Sequence, residues 1–264
     1  MGERRPRRGN GGRPPGPRRD RSQRARPERR SSRTPRRRDE APTLQVVAPS
    51  YDPVHLPDEV VKELRSTARP GKGDILVKVF ADAAAAFAAD DMDEALRLAE
   101  QAKHIALRSV TARELLGLVY HRMGRWKEAA RELAAFRRIS GSTSQNPVLA
   151  DAYRAMGRPD RGLELCDEID PALEDPEVSY EGTIVAAGAL ADLDRLDEAI
   201  ARMMTLRLDP PTAEVHHMRA WYALADLLER RGRFTQAREY FEAVAAADPD
   251  LTDAPERAAR LSGH

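Results

Sequence analysis

Residues 221–249 read WYALADLLERRGRFTQAREYFEAVAAADP and contain two apolar stripes separated by a short polar turn. In the first stripe, Trp221, Leu224 and Leu228 follow one another at spacings of three and four, which predicts one face of an α-helix. The second stripe follows Gly232, and glycine readily accepts the backbone conformation of a tight turn. The segment therefore predicts a helix hairpin.

Similar turns occur at four places in the chain, and a weaker fifth copy lies among them. The first residues of successive copies are 34, 33, 37 and 38 positions apart. A nearly fixed period of this size is typical of a helical repeat array, in which each unit buries its apolar face against its neighbours. Such an array is normally a binding surface. The five copies are DDMDEA at 90–95, GRWKEA at 124–129, GRPDRG at 157–162, DRLDEA at 194–199 and GRFTQA at 232–237.

Two copies extend to a longer common template. They read Leu116-Gly117-x-x-Tyr120 with Gly124-x-Trp126-x-x-Ala129-x-x-x-Leu133, and Trp221-x-x-Leu224-Ala225-x-x-Leu228 with Gly232-x-Phe234-x-x-Ala237-x-x-x-Phe241 and Pro249. Small residues such as Gly117 let paired helices approach closely, and large ones such as Trp126 fill the space between successive pairs. This template resembles the tetratricopeptide repeat family over roughly residues 75–251. The resemblance implies an all-α fold, a right-handed superhelical array of helix hairpins.

The chain divides into four predicted segments. Residues 1–40 form a disordered Arg/Pro-rich arm, and residues 41–73 form a linker with a short capping helix. Residues 74–251 form the repeat domain, and residues 252–264 a C-terminal capping helix and tail. The capping helix of the linker is expected to cover an apolar face that Phe80 and its neighbours present on the first repeat.

The arm is distinguished by its charge. Its 40 residues contain 16 arginines, no lysine and five acidic residues, for a net charge of +11, whereas the other 224 residues carry a net charge of −10. Six prolines and very few apolar residues leave it too little surface to bury, which predicts disorder. Its arginines favour non-specific binding of phosphates, and RNA or the ribosome is the expected partner. The candidate residues are Arg4, Arg5, Arg7, Arg8, Arg18, Arg19, Arg29, Arg30, Arg36, Arg37 and Arg38.

Two other interpretations of the arm stay open at this point. In the first, the arm is a solubilising tail. In the second, it is a pseudo-ligand that binds the acidic remainder of the chain. Part of its arginine content also reflects codon bias, because 39 arginines, five lysines and two asparagines in the whole chain suggest a GC-rich bacterial genome.

The resemblance also implies a binding groove lined by the first helix of each hairpin. Lysine is missing from the expected lining, and Asn146 is the single asparagine of the repeats, so a clamp for a C-terminal carboxylate is disfavoured. A mixed-charge groove for an extended or helical peptide fits better, although these residues could also form an ordinary solvated helix face. The candidate groove residues are Glu114, His121, Arg122, Asp151, Arg154, Arg219, Tyr222, Asp226 and Arg230.

No catalytic, cofactor or metal site is predicted. Adjacent residues of a helix point in different directions, so His216 and His217 are expected to have ordinary surface roles. Cys166, the single cysteine, precludes an intramolecular disulfide and is expected to be buried. No apolar run is long enough to cross a bilayer. These features predict a cytoplasmic, non-enzymatic scaffold that binds an unidentified protein or peptide and no membrane; an RNA- or ribosome-associated protein is the alternative.

Overall fold

A computed structural model describes residues 51–263, and in this part of the chain it contains twelve α-helices and no β-strand. The arm, with its predicted disorder and its candidate arginines, lies outside the described residues. The helices are α1 (Asp58–Thr67), α2 (Gly73–Ala88), α3 (Met92–Ile105), α4 (Val110–Arg122), α5 (Trp126–Ser140), α6 (Asn146–Ala155), α7 (Pro159–Asp167), α8 (Pro176–Asp192), α9 (Leu196–Met203), α10 (Val215–Arg230), α11 (Phe234–Ala247) and α12 (Ala254–Leu261).

Ten of these helices form five consecutive hairpins. Helices α2 and α3, α4 and α5, α6 and α7, α8 and α9, and α10 and α11 pair with each other. The second helix of each hairpin also packs against the first helix of the next, and successive first helices are in contact. The all-α array of helix hairpins is therefore confirmed.

The five turns share one backbone conformation. Gly124, Gly157 and Gly232 have φ values of 69°, 73° and 80°, in the left-handed region that glycine enters without steric cost. Asp90 and Asp194 occupy the same turn position with φ of 60°, although left-handed geometry is unfavourable for most residues with a Cβ. Aspartate is among the few such residues that visit this region. All five turns of the sequence repeat, including the weak third copy, are thus real turns.

Small residues let the helices approach closely, as the template predicts. A Cβ atom added at Gly117 of α4 would lie 2.6 Å from a methyl carbon of Leu133 on α5, and Leu133 is fully buried. At Gly182 of α8, the added atom would lie 2.4 Å from the Cδ1 atom of Ile169. Phe241 of α11 fills the core of the last hairpin and is itself fully buried. Interior packing is dense enough that such changes of one methyl group are felt.

Helix α1 closes the first end of the array. Leu64 is fully buried, and Val60 packs against the same apolar cluster, which also contains the buried Phe80 of α2. Glu63 accepts hydrogen bonds from the Ser109 hydroxyl and the Val110 backbone N–H, both at 2.9 Å. The Glu63 carboxylate therefore caps the N-terminus of α4, where the helix dipole favours a negative charge.

Helix α12 closes the other end. Its Arg257 side chain is 13% exposed and forms ion pairs with Asp226 at 2.9 Å and Glu229 at 2.5 Å. The same guanidinium lies 4.3 Å from the centre of the Phe241 ring. Leu261 is buried on the apolar side of this helix. Charge, stacking and apolar contact thus hold the last helix on α10 and α11.

The predicted surface role of the adjacent histidines is wrong. His216 is 9% and His217 7% exposed, and each ring contacts the ring of Tyr180 on α8. They begin α10, where His217 Nδ1 accepts a hydrogen bond from the Glu214 backbone N–H at 3.1 Å. Adjacent side chains can both be buried here because the N-terminus of α10 is enclosed by the preceding hairpin.

The prediction for the cysteine is confirmed. Cys166 is 2% exposed in the core between α6 and α8. Burial raises the pKa of its thiol to about 12. A thiol in this environment stays protonated and is a poor nucleophile.

Candidate functional site

The first helices of four hairpins, α4, α6, α8 and α10, line a common groove. Its cavity volume is about 460 Å³. The floor is apolar, and charged side chains surround it. The lining residues are Pro147, Val148, Ile184 and Val185 for the floor, with His121, Asp151, Arg154, Glu177, Glu181 and Arg219 around them.

A chain of polar contacts crosses the groove from α4 to α8. His121 Nε2 donates to Asp151 Oδ2 at 3.0 Å, and Arg154 Nη1 donates to Asp151 Oδ1 at 3.1 Å. Arg154 Nε in turn donates to Asp192 Oδ2 at 2.9 Å. The hydrogen bond from His121, together with the charge of Arg154, lowers the pKa of Asp151. These side chains are therefore held in place before any ligand arrives.

Two further charged residues bound the groove on the side of α10. Arg219 Nη1 donates to Glu181 Oε1 at 2.7 Å, which links α10 to α8. Glu177 lies one turn before Glu181 and is exposed, and its side chain makes no hydrogen bond or ion pair with any residue between 51 and 263. This carboxylate is available to a ligand.

Two of the candidates on α4 contact other parts of the array. Glu114 of α4 is half-buried and accepts a hydrogen bond from Gln145 at 2.8 Å, and burial raises the pKa of its carboxyl. Arg122 is exposed, lies 3.4 Å from the Asp90 carboxylate and stacks 5.8 Å from the centre of the Phe87 ring. Neither lines the groove described above.

The candidates at the end of α10 face helix α12 instead. The Tyr222 hydroxyl donates to Asp253 at 2.6 Å, and Asp226 accepts from Arg257. Arg230 is exposed and lies 4.0 Å from Asp226. The structure thus groups His121, Asp151, Arg154 and Arg219 in one groove and places Tyr222, Asp226 and Arg230 against or beside the capping helix.

The sequence contained a signal for the groove residues that the candidate set omits. Residues 147, 151 and 154 on α6 are spaced by four and three, as are residues 177, 181 and 184 on α8. Side chains at these spacings share a helix face. One turn toward the N-terminus of α6 from Asp151 is Pro147, and one turn toward the N-terminus of α8 from Glu181 is Glu177.

The described residues contain neither a candidate metal site nor a candidate membrane span. No group of three or more histidine, cysteine, aspartate or glutamate side chains within residues 51–263 could hold a metal ion. None of the helices in that range is long and apolar enough to cross a membrane.

Comparison with known proteins identifies the repeat. The tetratricopeptide repeat family profile matches residues 218–251, which span α10 and α11. No curated protein sequence matches the chain.

Solved structures extend the likeness of fold over most of the described chain. A thermophilic TPR protein of Thermus thermophilus is 18% identical, with a TM-score of 0.57 over 70% of this chain and 98% of that one. For pilF of Pseudomonas aeruginosa the identity is 14% and the TM-score 0.56, over 73% of this chain and 85% of that one. The human IFIT1 dimer with m7Gppp-AAAA is 13% identical, with a TM-score of 0.50 over 64% of this chain and 42% of that one. The profile match shows one tetratricopeptide repeat at residues 218–251, and the solved structures show that the hairpin array shares the fold of tetratricopeptide repeat proteins.

Proposed function

We propose that the groove between α4 and α10 binds a peptide segment of a partner protein, and that the chain acts as a non-enzymatic scaffold. The observation that carries the proposal is the combination of an apolar floor with charged side chains already fixed by His121–Asp151–Arg154 contacts. Polar groups that are ordered before binding lose little further freedom when a ligand arrives.

The lining indicates the kind of peptide. Ile184 and Val185 offer apolar contact to one side chain of the ligand, whereas the exposed carboxylate of Glu177 offers a partner for a cation. An extended or helical segment with an apolar residue near a lysine or arginine satisfies both. We place the site on residues of the predicted repeat domain, 74–251.

A peptide-display selection on the full-length protein tests this proposal. Selected peptides are expected to carry the apolar and basic pair, and Ile184→Glu should weaken their binding at least about tenfold, because it places a charge on the apolar floor. Met204→Glu is the matched control, since Met204 is 57% exposed and lies outside the groove. Equal binding to the parent and to Ile184→Glu would contradict the proposal.

A second candidate function rests on the arm. Its 16 arginines in 40 residues support binding to RNA, including ribosome-associated RNA, through phosphate contacts. Removal of residues 1–40 should abolish most RNA binding, and the affinity of the intact chain should fall steeply with added salt. RNA binding that survives removal of the arm undiminished would contradict this assignment. The cytoplasmic location stays a prediction.

A further inference from the structure

A cationic strip lies mainly on the second helices of the hairpins, away from the groove of the first helices. It is centred on α5 and receives further members from the end of α3 and from the first turns of α4 and α7. The cationic strip consists of Lys103, Arg113, Arg131, Arg137, Arg138 and Arg161.

A buried carboxylate holds three members of the strip. Glu132 is 1% exposed and accepts from Lys103 at 2.6 Å, Arg113 at 2.7 Å and Arg131 at 3.0 Å. Burial alone would raise the pKa of Glu132, but hydrogen bonds from Lys103 and Arg131 outweigh it, and the pKa is lowered. One negative charge therefore gathers three positive charges, which leaves two in excess.

The other members add to this excess. Arg137 pairs with Glu168, and Arg161 pairs with Glu164. Arg138 is exposed, and its guanidinium forms no hydrogen bond or ion pair with any residue of the described range. With these pairs counted, the strip keeps three unbalanced positive charges, although residues 41–264 together carry a net charge of −10.

Two hollows flank α5 along the strip. One, of about 530 Å³, lies toward α3 and α4 and is lined by Lys103, Arg113 and Arg131. The other, of about 420 Å³, lies toward α6 and α7 and is lined by Arg137 and Arg161. Arg138 lines both hollows, so its guanidinium, which is unpaired within residues 51–263, stands between two cationic recesses.

We propose that the cationic strip binds the phosphodiester backbone of a single-stranded nucleic acid, with Arg138 contacting phosphates in the two hollows. A guanidinium presents a planar fork of donors that matches phosphate oxygens. Tyr153 is the aromatic residue among those that line the two hollows, and the guanidinium of Arg158 covers its ring at 5.1 Å. Bases therefore find no open stacking surface in the hollows, and binding is through the backbone and independent of base sequence.

The test measures the binding of a labelled oligouridylate to the full-length protein by fluorescence anisotropy over a series of salt concentrations. Arg138→Glu should weaken binding several-fold at low salt and reduce the slope of log K against log salt by about 0.7 for each lost phosphate contact. Arg138→Lys keeps the charge but loses the fork, and should retain most of the slope. Arg230→Glu is the matched control, because it makes the same charge change at an exposed arginine on α10; it should bind the oligonucleotide like the parent.

Three results would overturn the proposal. The first is unchanged affinity and slope in Arg138→Glu. The second is an equal loss in Arg138→Glu and Arg230→Glu, which would show an effect of net charge alone. The third is a polyglutamate chain that binds as tightly and responds equally to Arg138→Glu, which would make the ligand an acidic polypeptide. Thermal unfolding should be unchanged in Arg138→Glu, since the side chain has no partner in residues 51–263, and binding of groove peptides should also be unchanged.

Discussion

The guanidinium of Arg154 on α6 lies against the backbone of Gly188 on α8. A Cβ atom added at Gly188 would be 2.6 Å from Arg154 Cζ and 2.7 Å from both terminal nitrogens. The small residues of the fourth repeat, which depart from the usual template, therefore make room for a side chain of the groove. The contact sets the position from which Arg154 reaches Asp192.

Gly188→Ala should separate ligand binding from stability. The added methyl group displaces the guanidinium of Arg154, while alanine is favoured over glycine within a helix by about 1 kcal/mol. The free energy of unfolding should therefore stay the same or rise slightly, and the affinity for groove peptides should fall. Chemical denaturation and peptide titration of the same sample measure both. A variant that binds peptide like the parent would show that the position of Arg154 is unimportant.

Gly117→Ala should lower stability and leave the affinity for groove peptides unchanged. Its new methyl group would meet the side chain of Leu133, which is fully buried and packed in the apolar core. Overpacking of this kind costs about 1–3 kcal/mol. Denaturant titration should show that loss, with groove peptides still bound by the folded fraction. Stability equal to that of the parent would mean that α4 and α5 separate easily.

Phe241→Ala should be more destabilising than truncation of either tryptophan. Phe241 is fully buried, and removal of such a ring costs about 3–5 kcal/mol. Trp126 and Trp221 are only half-buried. Their truncation should therefore lower the free energy of unfolding by less than the about 3–5 kcal/mol expected of a fully buried aromatic side chain. The comparison requires denaturation curves of the three variants under one set of conditions. A larger loss in Trp126→Ala than in Phe241→Ala would contradict this ranking.

Mild acid should destabilise the junction of α8 and α10. Burial, and the neighbouring His216, lower the pKa of His217 below the ordinary histidine value of 6.5. The unfolded chain therefore takes up a proton more readily than the folded one, and the stability contributed by neutral His217 is lost as pH falls below about 6.5. Unfolding free energies measured on either side of that pH should show the decline.

His217→Gln isolates this effect. Glutamine can accept the same hydrogen bond from the Glu214 backbone N–H that His217 Nδ1 accepts, since it is a usual residue at this position of a capping box. The variant should fold at neutral pH and lose less stability on mild acidification than the parent. The pKa values of Asp151 and Glu132 are lowered, so these carboxylates take up protons only below the ordinary carboxyl range. Their titration therefore does not affect the comparison of the two proteins in mild acid.

The fold could be predicted from the sequence because its determinants are local. Glycine or aspartate at 90, 124, 157, 194 and 232 sets the turns, and apolar residues at spacings of three and four set the buried helix faces. Even the irregular copy at 157 adopts the same turn. The positions of helices depend on such short-range patterns, so they can be predicted from a single sequence.

The site could be predicted only in part, since it depends on the rotation of each helix relative to its neighbours. His121, Asp151 and Arg154 lie on first helices and contact one another in the groove. Tyr222 occupies the equivalent face of α10 but contacts α12 and the residue before it, because α12 packs against this part of the array. The burial of His216 likewise depends on Tyr180, which lies 36 residues earlier in the chain.

The most direct test of the groove is photochemical labelling by a selected peptide that carries a benzophenone at its apolar position. After irradiation with the full-length protein, digestion and mass spectrometry locate the labelled residues. If the groove binds the peptide, labels are expected on α6 and α8, at Val148, Ile184 or Val185, and they should disappear in Ile184→Glu. Labels confined to the second helices of the hairpins, or unchanged in that variant, would contradict a peptide-binding groove on the first helices.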